Sequence, residues 1–220
     1  MTNVLFVHIP KTGGSTVVNN LTPLIEAAGL KLRHGHLDVG RFRKHLATSV
    51  SFTVLREPTD RLLSLYWYGR RSPTWYGRLA QRLPPRKFFT HPAIGHHPAF
   101  CDGMSHQLGC SFPMPIWTEH LDPIPVDADQ LLTAACRTLD ALDYVGATAT
   151  VDATLRAVCE LLGLPSPVHI GRSNHSPRGL VDPAVYGVLE PLVQVDRQLW
   201  KHAMRGMVRR CGSSMGAREE

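Results

Sequence analysis

A short apolar segment near the start of the chain runs directly into a glycine-rich loop and then into a helical pattern. Residues 4–7, VLFV, are typical of a buried β-strand, and the loop that follows reads HIPKTGG. Beyond the loop, apolar residues recur at helical spacing from Val17 to Ala28, and Pro23 should bend or interrupt that helix. A strand that leads through a tight loop into a helix is the first half of a βαβ unit, which requires a parallel sheet.

The same alternation continues along the chain. Further strands are predicted at 31–34, 51–55 and 144–147, and helices at 38–46, 58–68, 129–142, 151–162 and, divided near Pro191, from 182 onward. Residues 70–125 are rich in Pro, Gly and His and show no clear pattern beyond a few short helices. We therefore predict a three-layer α/β fold with a central, mainly parallel sheet flanked by helices. We expect a single domain over residues 1–211 and a flexible tail over 212–220.

Composition sets broad limits on the class of protein. At 220 residues and 43% hydrophobic, the chain is long enough to bury one sizeable core. It opens without the basic region and apolar run of a signal peptide, and no apolar stretch approaches the length of a membrane span. We therefore expect a soluble cytoplasmic protein. The five cysteines are odd in number and include no C-x-x-C pair, so we expect mostly reduced thiols rather than disulfides or a zinc cluster.

The net charge of +6 arises from one segment. No acidic residue occurs between Asp60 and Asp102, whereas the rest of the chain carries 17 basic and 18 acidic residues. The basic residues of the segment are Arg61, Arg70, Arg71, Arg78, Arg82, Arg86 and Lys87, and the interleaved aromatic residues are Tyr66, Trp67, Tyr68, Trp75 and Tyr76. A solvated surface is the plain interpretation, but the pattern also suits an anionic ligand, either nucleic acid or a charged sugar.

The stretch FVHIPKTGGST has the composition of a phosphate-binding loop in an unusual order. Gly13 and Gly14 allow the backbone to curl tightly, and the helix that follows presents free N–H groups and a favourable dipole to an anion. Lys11 adds a full positive charge, but it precedes the glycines, whereas the lysine follows them in G-x-x-x-x-G-K-[ST]. A plain turn with a serine N-cap is the structural alternative.

Two further polar clusters follow the next two predicted strands. In LREPTDRLLSLYWY, Arg56 ends a strand and Ser64 lies about two turns into the following helix, within reach of one shared phosphate. The triplet His34-Gly-His36 follows the second strand. Because the carboxyl ends of parallel strands meet at one edge of a sheet, we expect these clusters to lie beside the glycine-rich loop.

These motifs resemble the sulfotransferases that use 3′-phosphoadenosine 5′-phosphosulfate (PAPS), particularly the carbohydrate branch that includes heparan sulfate 2-O-sulfotransferase. P-K-T-G-G-[ST]-[ST] resembles the family's 5′-phosphosulfate site, and L-R-E-P-x-D-R-x-x-S resembles its 3′-phosphate site. Weaker similarity extends through 143–146, 172–176 and 196–200, so that the resemblance covers most of the chain apart from 70–125. It implies a P-loop-like α/β fold and no metal.

The resemblance assigns a role to each polar cluster. Lys11 would contact the 5′-phosphosulfate and steady the leaving phosphate, while Arg56 and Ser64 would hold the 3′-phosphate. His36 would be the base that removes the acceptor's proton, with His34 as a supporting contact. The other residues assigned to cofactor binding are Thr12, Gly13, Gly14, Ser15, Thr16, Ser173, Asn174 and Ser176.

We therefore expect transfer of a sulfuryl group from PAPS to a hydroxyl acceptor, a glycan or glycoside, by in-line displacement with a histidine base. Arg70, Arg71 and Arg78 are candidates for binding an anionic acceptor, and no nucleic acid is expected as a partner. Because the chain has 12 histidines, a non-catalytic histidine or a two-histidine metal site stays open at His36.

Two alternative functions fit the motifs less well than sulfuryl transfer does. A P-loop-type ATP-dependent small-molecule kinase is opposed by the position of Lys11 and by Asp143, which precedes rather than follows its strand. A non-enzymatic anion or nucleic-acid binder that uses residues 61–87 would leave both phosphate motifs unexplained.

Overall fold

The computed structural model of the chain describes residues 3–36, 39–110, 126–167, 170–171, 179 and 181–215, with side chains as far as 207. Four strands form a sheet in the order β2-β1-β3-β4, and each neighbouring pair is parallel. The strands are β1 (Asn3–Val7), β2 (Lys31–Gly35), β3 (Ser49–Leu55) and β4 (Tyr144–Ala147). The prediction of an α/β fold with a parallel sheet is therefore confirmed.

The helices lie close to the predicted positions where the sequence pattern was regular. They are α1 (Gly14–Ala27), α2 (Val39–Leu46), α3 (Pro58–Gly69), α4 (Trp75–Arg82), α5 (Pro85–Phe89), α6 (Pro92–Gly95), α7 (Gly103–Gly109), α8 (Ala128–Asp140), α9 (Val151–Leu161), α10 (Ala184–Leu189) and α11 (Gln194–Met215). Two short 3-10 turns cover Thr148–Thr150 and Glu190–Leu192. The second of these contains Pro191 and separates α10 from α11, as predicted.

Pro23 was predicted to bend or interrupt α1, and the structure shows that the helix continues through it without interruption. Proline removes a single backbone donor from the helix and costs about 3 kcal/mol in its interior. Leu21 and Ile25, on either side of the proline, are fully buried against the sheet. We attribute the continuity of α1 to this burial.

Side chains alternate across the central strand and divide the core into two layers. Leu5 and Val7 pack with α2, α7, α8 and α11, whereas Val4 and Phe6 pack with α1 and α9 on the opposite face. Helices therefore cover both faces of the sheet, and the three-layer arrangement is confirmed.

A further apolar cluster lies around α3. Leu62, Leu65 and Tyr66 of this helix pack with residues of α4, α5, α6 and α10. The region 75–109, which has no clear periodicity in the sequence, thus consists of short helices that cover α3 and one side of the core. Their burial leaves another face of α3 to meet the glycine-rich loop.

Two expectations from composition can be compared with the described residues. The thiols of Cys101, Cys110, Cys136 and Cys159 are free, as expected, and the side chain of Cys211 lies outside the described set. Within the described ranges, no helix combines the length and the apolar character that a membrane span requires.

Candidate functional site

The strand register brings the predicted polar clusters together at the carboxyl edge of the sheet. Val7, the last residue of β1, pairs with Gly35 of β2 and with Thr53 of β3. The segments that follow these strands are therefore neighbours, and hydrogen bonds link them. The predicted meeting of the three clusters is confirmed by the contacts described below.

The loop after β1 is tightly curled. Lys11 and Gly13 both have left-handed backbone angles, with φ of 69° and 93° respectively. A left-handed conformation costs a non-glycine residue roughly 1 to 2 kcal/mol, so the surroundings must hold Lys11 in place. The hydroxyl of Thr12, which is fully buried, donates to the carbonyl of Ile9 at 2.9 Å. The Thr12 hydroxyl is therefore committed to the backbone of the loop itself.

Side chains from three other segments hold three consecutive carbonyl groups of this loop. Arg61 Nε donates to Pro10 O at 3.1 Å, Arg56 Nη1 to Lys11 O at 3.1 Å, and Thr148 Oγ1 to Thr12 O at 2.7 Å. The same hydroxyl is 3.0 Å from the carbonyl oxygen of Leu55, the last residue of β3, so its single hydrogen is shared between two acceptors. The loop is therefore attached to the ends of β3 and β4 and to α3.

The ammonium group of Lys11 lies over an aromatic ring of α3. Its Nζ is 3.9 Å from the centroid of the Tyr68 ring, in cation–π geometry. Burial, and then the positive charge of Arg71, lower the pKa of Lys11 to about 8. Lys11 therefore carries its charge at neutral pH but loses it more readily than an exposed lysine.

The face of α3 that meets the loop carries Arg61, Ser64 and Tyr68 at helical spacing. Arg61 is only 1% exposed, and both terminal nitrogens donate to the carbonyl of Ala99 at 3.2 to 3.3 Å. The expectation that Arg61 belongs to a basic, ligand-facing surface is therefore wrong, because backbone carbonyls occupy its guanidinium. Ser64 is 7% exposed and lies between the two side chains that contact the loop.

Arg56, the predicted partner of Ser64, lies at the start of the turn into α3. Besides its bond to Lys11, its Nη2 is 3.9 Å from the Asp60 carboxylate, and its side chain is 15% exposed. A guanidinium has five N–H donors, so these contacts leave donor capacity for an anion. The structure thus brings Arg56 to the loop that carries Lys11.

His36 follows β2 and contacts the residue that follows β1. Its Nδ1 is 2.9 Å from the carbonyl oxygen of His8. Because a carbonyl only accepts, Nδ1 must carry the hydrogen, and in the neutral ring Nε2 then carries the lone pair. Burial, followed by the charges of Arg61 and neighbouring groups, lowers the pKa of His36 although the bond to His8 opposes the shift. The ring is therefore neutral at pH 7 and has the tautomer of a base acting through Nε2.

From the sequence, His8 is expected only to pack or to form a hydrogen bond locally, and the structure places it beside His36. Its ring stacks on Phe6 at 5.2 Å, and its centroid is 4.3 Å from that of His36. Burial, followed by the charges of His36, His34 and Lys11, lowers its pKa to about 3. Its carbonyl also accepts a hydrogen bond from Gln107 Nε2 of α7 at 3.0 Å. His8 therefore connects His36, the loop and α7.

The remaining predicted residues lie at different distances from the loop. His34 is an exposed residue within β2 rather than after it. Arg71 is exposed and close enough to Lys11 to influence its pKa. The guanidinium of Arg70 instead lies 5.5 Å from the Trp67 ring, and Arg78 is exposed on α4. Of the three arginines, the structure thus associates Arg71 most directly with Lys11.

The aromatic residues of the basic segment are mostly core residues. Tyr66, Trp75 and Tyr76 are at least 93% buried. Trp67 and Tyr68 are partly buried beneath Arg70 and Lys11 respectively. Three of the five aromatic residues therefore belong to the core, and the other two lie beneath cationic groups.

Acidic residues near the sheet have structural partners. Asp143 precedes β4, at the edge opposite the loop, and accepts from both the N–H and the hydroxyl of Ser51 at 2.7 and 2.8 Å. Glu57 caps α3 by accepting from the Asp60 N–H and the Thr59 hydroxyl. Among the residues that the structure describes, no group of three or more His, Cys, Asp or Glu side chains is arranged as a metal site.

Ser173, Asn174 and Ser176, assigned to cofactor binding by resemblance, lie outside the described residues. No known family model matches the chain, and no curated protein matches it at a significant level.

Proposed function

We propose that this protein is a PAPS-dependent sulfotransferase that transfers a sulfuryl group to a hydroxyl of a carbohydrate. One observation carries the proposal: the cationic loop of Lys11 and the neutral imidazole of His36 meet at the carboxyl edge of one parallel sheet. Sulfuryl transfer needs an anion site for the leaving phosphate and a base for the acceptor's proton. The two motifs supply these functions from adjacent strands.

The residues around the loop fit the two anionic ends of PAPS. The backbone of Gly13 and Gly14 and the first turn of α1 would hold the 5′ end, with Lys11 as the charged contact. Arg56 and Ser64 would hold the 3′-phosphate that distinguishes PAPS from ATP. We propose a P-loop-like fold because the glycine-rich loop follows β1, an inner strand of the parallel sheet.

His36 would act as the base. PAPS supplies an activated sulfuryl group, so the acceptor oxygen forms a bond to sulfur as the bond to the bridging phosphate oxygen breaks. The acceptor's proton passes to Nε2 of His36, while Nδ1–H stays bonded to the His8 carbonyl and keeps the ring oriented. Lys11 is charged at neutral pH and would stabilise the negative charge that develops on the leaving phosphate.

The acceptor is proposed from charge and from the buried aromatic residues. Arg71 lies near Lys11 at the exposed end of α3, where it would meet an anionic sugar such as a uronic acid or a sulfated residue. Arg70 and Arg78 would form the outer part of the same surface. The burial of Tyr66, Trp75 and Tyr76 supports a sugar over a single-stranded nucleic acid.

Calorimetry tests the cofactor assignment. The protein should bind adenosine 3′,5′-bisphosphate (PAP) without a metal and more tightly than either adenosine 5′-phosphate or ATP with Mg²⁺. Lys11→Ala and Arg56→Ala should each weaken PAP binding roughly 10-fold to 100-fold, as expected for a charge-assisted hydrogen bond. Lys31→Ala and Arg82→Ala are the matched controls, because both are exposed, Lys31 at the start of β2 and Arg82 on α4.

Two results would contradict the proposal. One is a PAP affinity that neither Lys11→Ala nor Arg56→Ala changes. The other is a preference for ATP with Mg²⁺, which would favour a kinase. The position of Asp143 at the opposite edge of the sheet argues against a kinase, because it cannot bring a carboxylate to a metal at the loop.

A further inference from the structure

Thr148 has no place in the motifs discussed above, yet it contacts both the loop and the end of β3. We infer that Thr148 is a positioning residue of the phosphosulfate loop, which together with Arg56 and Arg61 holds three loop carbonyls so that the opposite N–H groups face the anion. The inference rests on the proposed function, because it gives these residues a role in the same anion site.

The geometry of the peptide bond links a held carbonyl to a directed N–H group. In a trans peptide, the C=O of one residue and the N–H of the next lie in one plane and point in opposite directions. The held carbonyls belong to Pro10, Lys11 and Thr12, and no cis peptide occurs among the described residues. The N–H groups of Lys11, Thr12 and Gly13 therefore point away from the side chains that hold the loop. Thr12 is fully buried, so the N–H groups of the partly exposed Lys11 and Gly13 are the ones that can meet an anion.

The three anchoring side chains come from separate elements of the fold. Arg56 follows β3, Arg61 lies on α3, and Thr148 follows β4. In the strand order β2-β1-β3-β4, β3 and β4 lie on one side of β1, so Arg56 and Thr148 reach the loop from the ends of these strands. The loop is thus held from two strand ends and one helix.

The anchors are themselves held by the fold. Arg61 is packed against Gly103, where an added Cβ would lie 2.9 Å from its terminal nitrogens. Asp196, whose charge acts on Arg61, accepts from the backbone N–H groups of Met104 and Ser105 at 3.1 and 2.7 Å. The methyl group of Thr148 also lies beside Gly13, since a Cβ added to that glycine would be 3.6 Å from Thr148 Cγ2.

Anchoring of this kind has a functional consequence. N–H groups that already point at the position of an anion bind it without a further cost of ordering the loop. Lys11 occupies a left-handed conformation that an unsupported loop would leave. Removal of one anchor should therefore weaken anion binding at the loop and leave contacts elsewhere on the ligand unchanged.

The test is Thr148→Val, which keeps the shape of the side chain and removes the hydroxyl. Binding of inorganic pyrophosphate and of PAP should weaken about threefold to tenfold, the usual worth of one hydrogen bond. Adenosine 3′-phosphate, which lacks the 5′ group, should bind as it does to the wild type. Thr148→Ser should restore affinity, and Thr150→Val, an exposed position on the same 3-10 turn, is the matched control.

The outcomes separate this inference from the proposed function. Pyrophosphate binding without PAP binding by the wild type would overturn the sulfotransferase proposal and leave the anchor to be tested with pyrophosphate. Unchanged pyrophosphate affinity in Thr148→Val, or an equal loss for adenosine 3′-phosphate, would overturn the inference, and absence of binding to either probe would overturn both.

A measurement on the wild type covers the case in which Thr148→Val does not fold. In ¹H–¹⁵N NMR spectra, pyrophosphate should shift the amide signals of Lys11 and Gly13 more than those of residues elsewhere on β1 and α1. Larger shifts elsewhere would overturn the inference.

Discussion

The imidazole of His8 lies directly against the backbone of Gly14. A Cβ added to Gly14 would come within 1.8 Å of His8 Nε2 and within 2.4 Å of two further ring atoms. The ring is largely buried between Phe6, His36 and the start of α1, so it has little room to move. The second glycine of the loop is therefore required by its contact with His8, since its own φ is not left-handed.

Gly14→Ala should disturb the loop even though alanine is the better helix former. Alanine normally gains about 1 kcal/mol over glycine within a helix, but here the methyl group would displace His8. We expect a net loss of roughly 1 to 3 kcal/mol in the free energy of unfolding, which chemical denaturation would measure. Gly206→Ala is the control, because its added Cβ meets nothing within 4 Å.

A double substitution separates the clash from other effects. In the double variant Gly14→Ala/His8→Ala the methyl group has space. Gly14→Ala should therefore lower the free energy of unfolding much less in the His8→Ala protein than in the wild type. Strictly additive losses of stability would show that the contact between Gly14 and His8 is not the cause.

His36→Asn should abolish most of the turnover while the local structure is kept. The amide nitrogen of asparagine occupies about the position of Nδ1 and retains a donor for the His8 carbonyl, but it offers no basic nitrogen. We expect turnover to fall roughly 10²-fold to 10⁴-fold, with PAP affinity unchanged in calorimetry. His34→Ala, at the exposed neighbouring position in β2, should retain activity. Full activity of His36→Asn would place the base elsewhere.

The pH dependence of kcat/KM for PAPS should follow His36 and Lys11. The base must be neutral, and since burial lowers the pKa of His36, activity should rise with pH through a midpoint below 6.5. Lys11 must be charged, and its pKa of about 8 predicts that activity falls as pH rises through that value. Lys11→Arg should move only the alkaline limb to higher pH, because guanidinium keeps its proton. An alkaline limb that does not move would exclude Lys11 as its origin.

The parts of the fold that could be predicted from the sequence are those with strong local signals. The apolar runs of β1 and β3 and the proline at the start of α3 fix elements within a few residues. Short helices between Trp75 and Gly109 could not be placed, because each is too short for a periodic pattern and depends on tertiary packing.

The site could be predicted only where its residues belong to compact motifs. Parallel strand order was enough to bring Lys11, Arg56 and His36 together. Thr148 contacts a residue 136 positions away, a relationship that no local pattern contains. Arg61 was misassigned because a charged side chain is normally exposed, and its burial depends on distant backbone carbonyls.

Asp102 should make stability depend on pH near neutrality. Burial, and then the charge of Asp196, raise the pKa of Asp102 to about 7, although hydrogen bonds from backbone N–H groups oppose the shift. A raised carboxyl pKa favours the protonated form in the fold, so the stabilisation is present below about pH 4 and lost as pH rises through 7. If the whole pKa shift of Asp102 acted on stability, the free energy of unfolding would change by about 4 kcal/mol. We expect about half of this change because the carboxyl group is partly solvated.

Asp102→Asn isolates this contribution. Asparagine keeps an oxygen that can accept from the Asp196 N–H, tolerates the left-handed backbone at this position and does not titrate. We subtract the free energy of unfolding of the variant from that of the wild type. This difference should fall by about 2 kcal/mol between pH 4 and pH 7.5. His8 has an opposite dependence, because its lowered pKa removes stability as pH falls below 6.5, but this contribution is common to both proteins and cancels. Urea denaturation at several pH values measures the difference, and a constant difference would show that folding does not shift the pKa of Asp102.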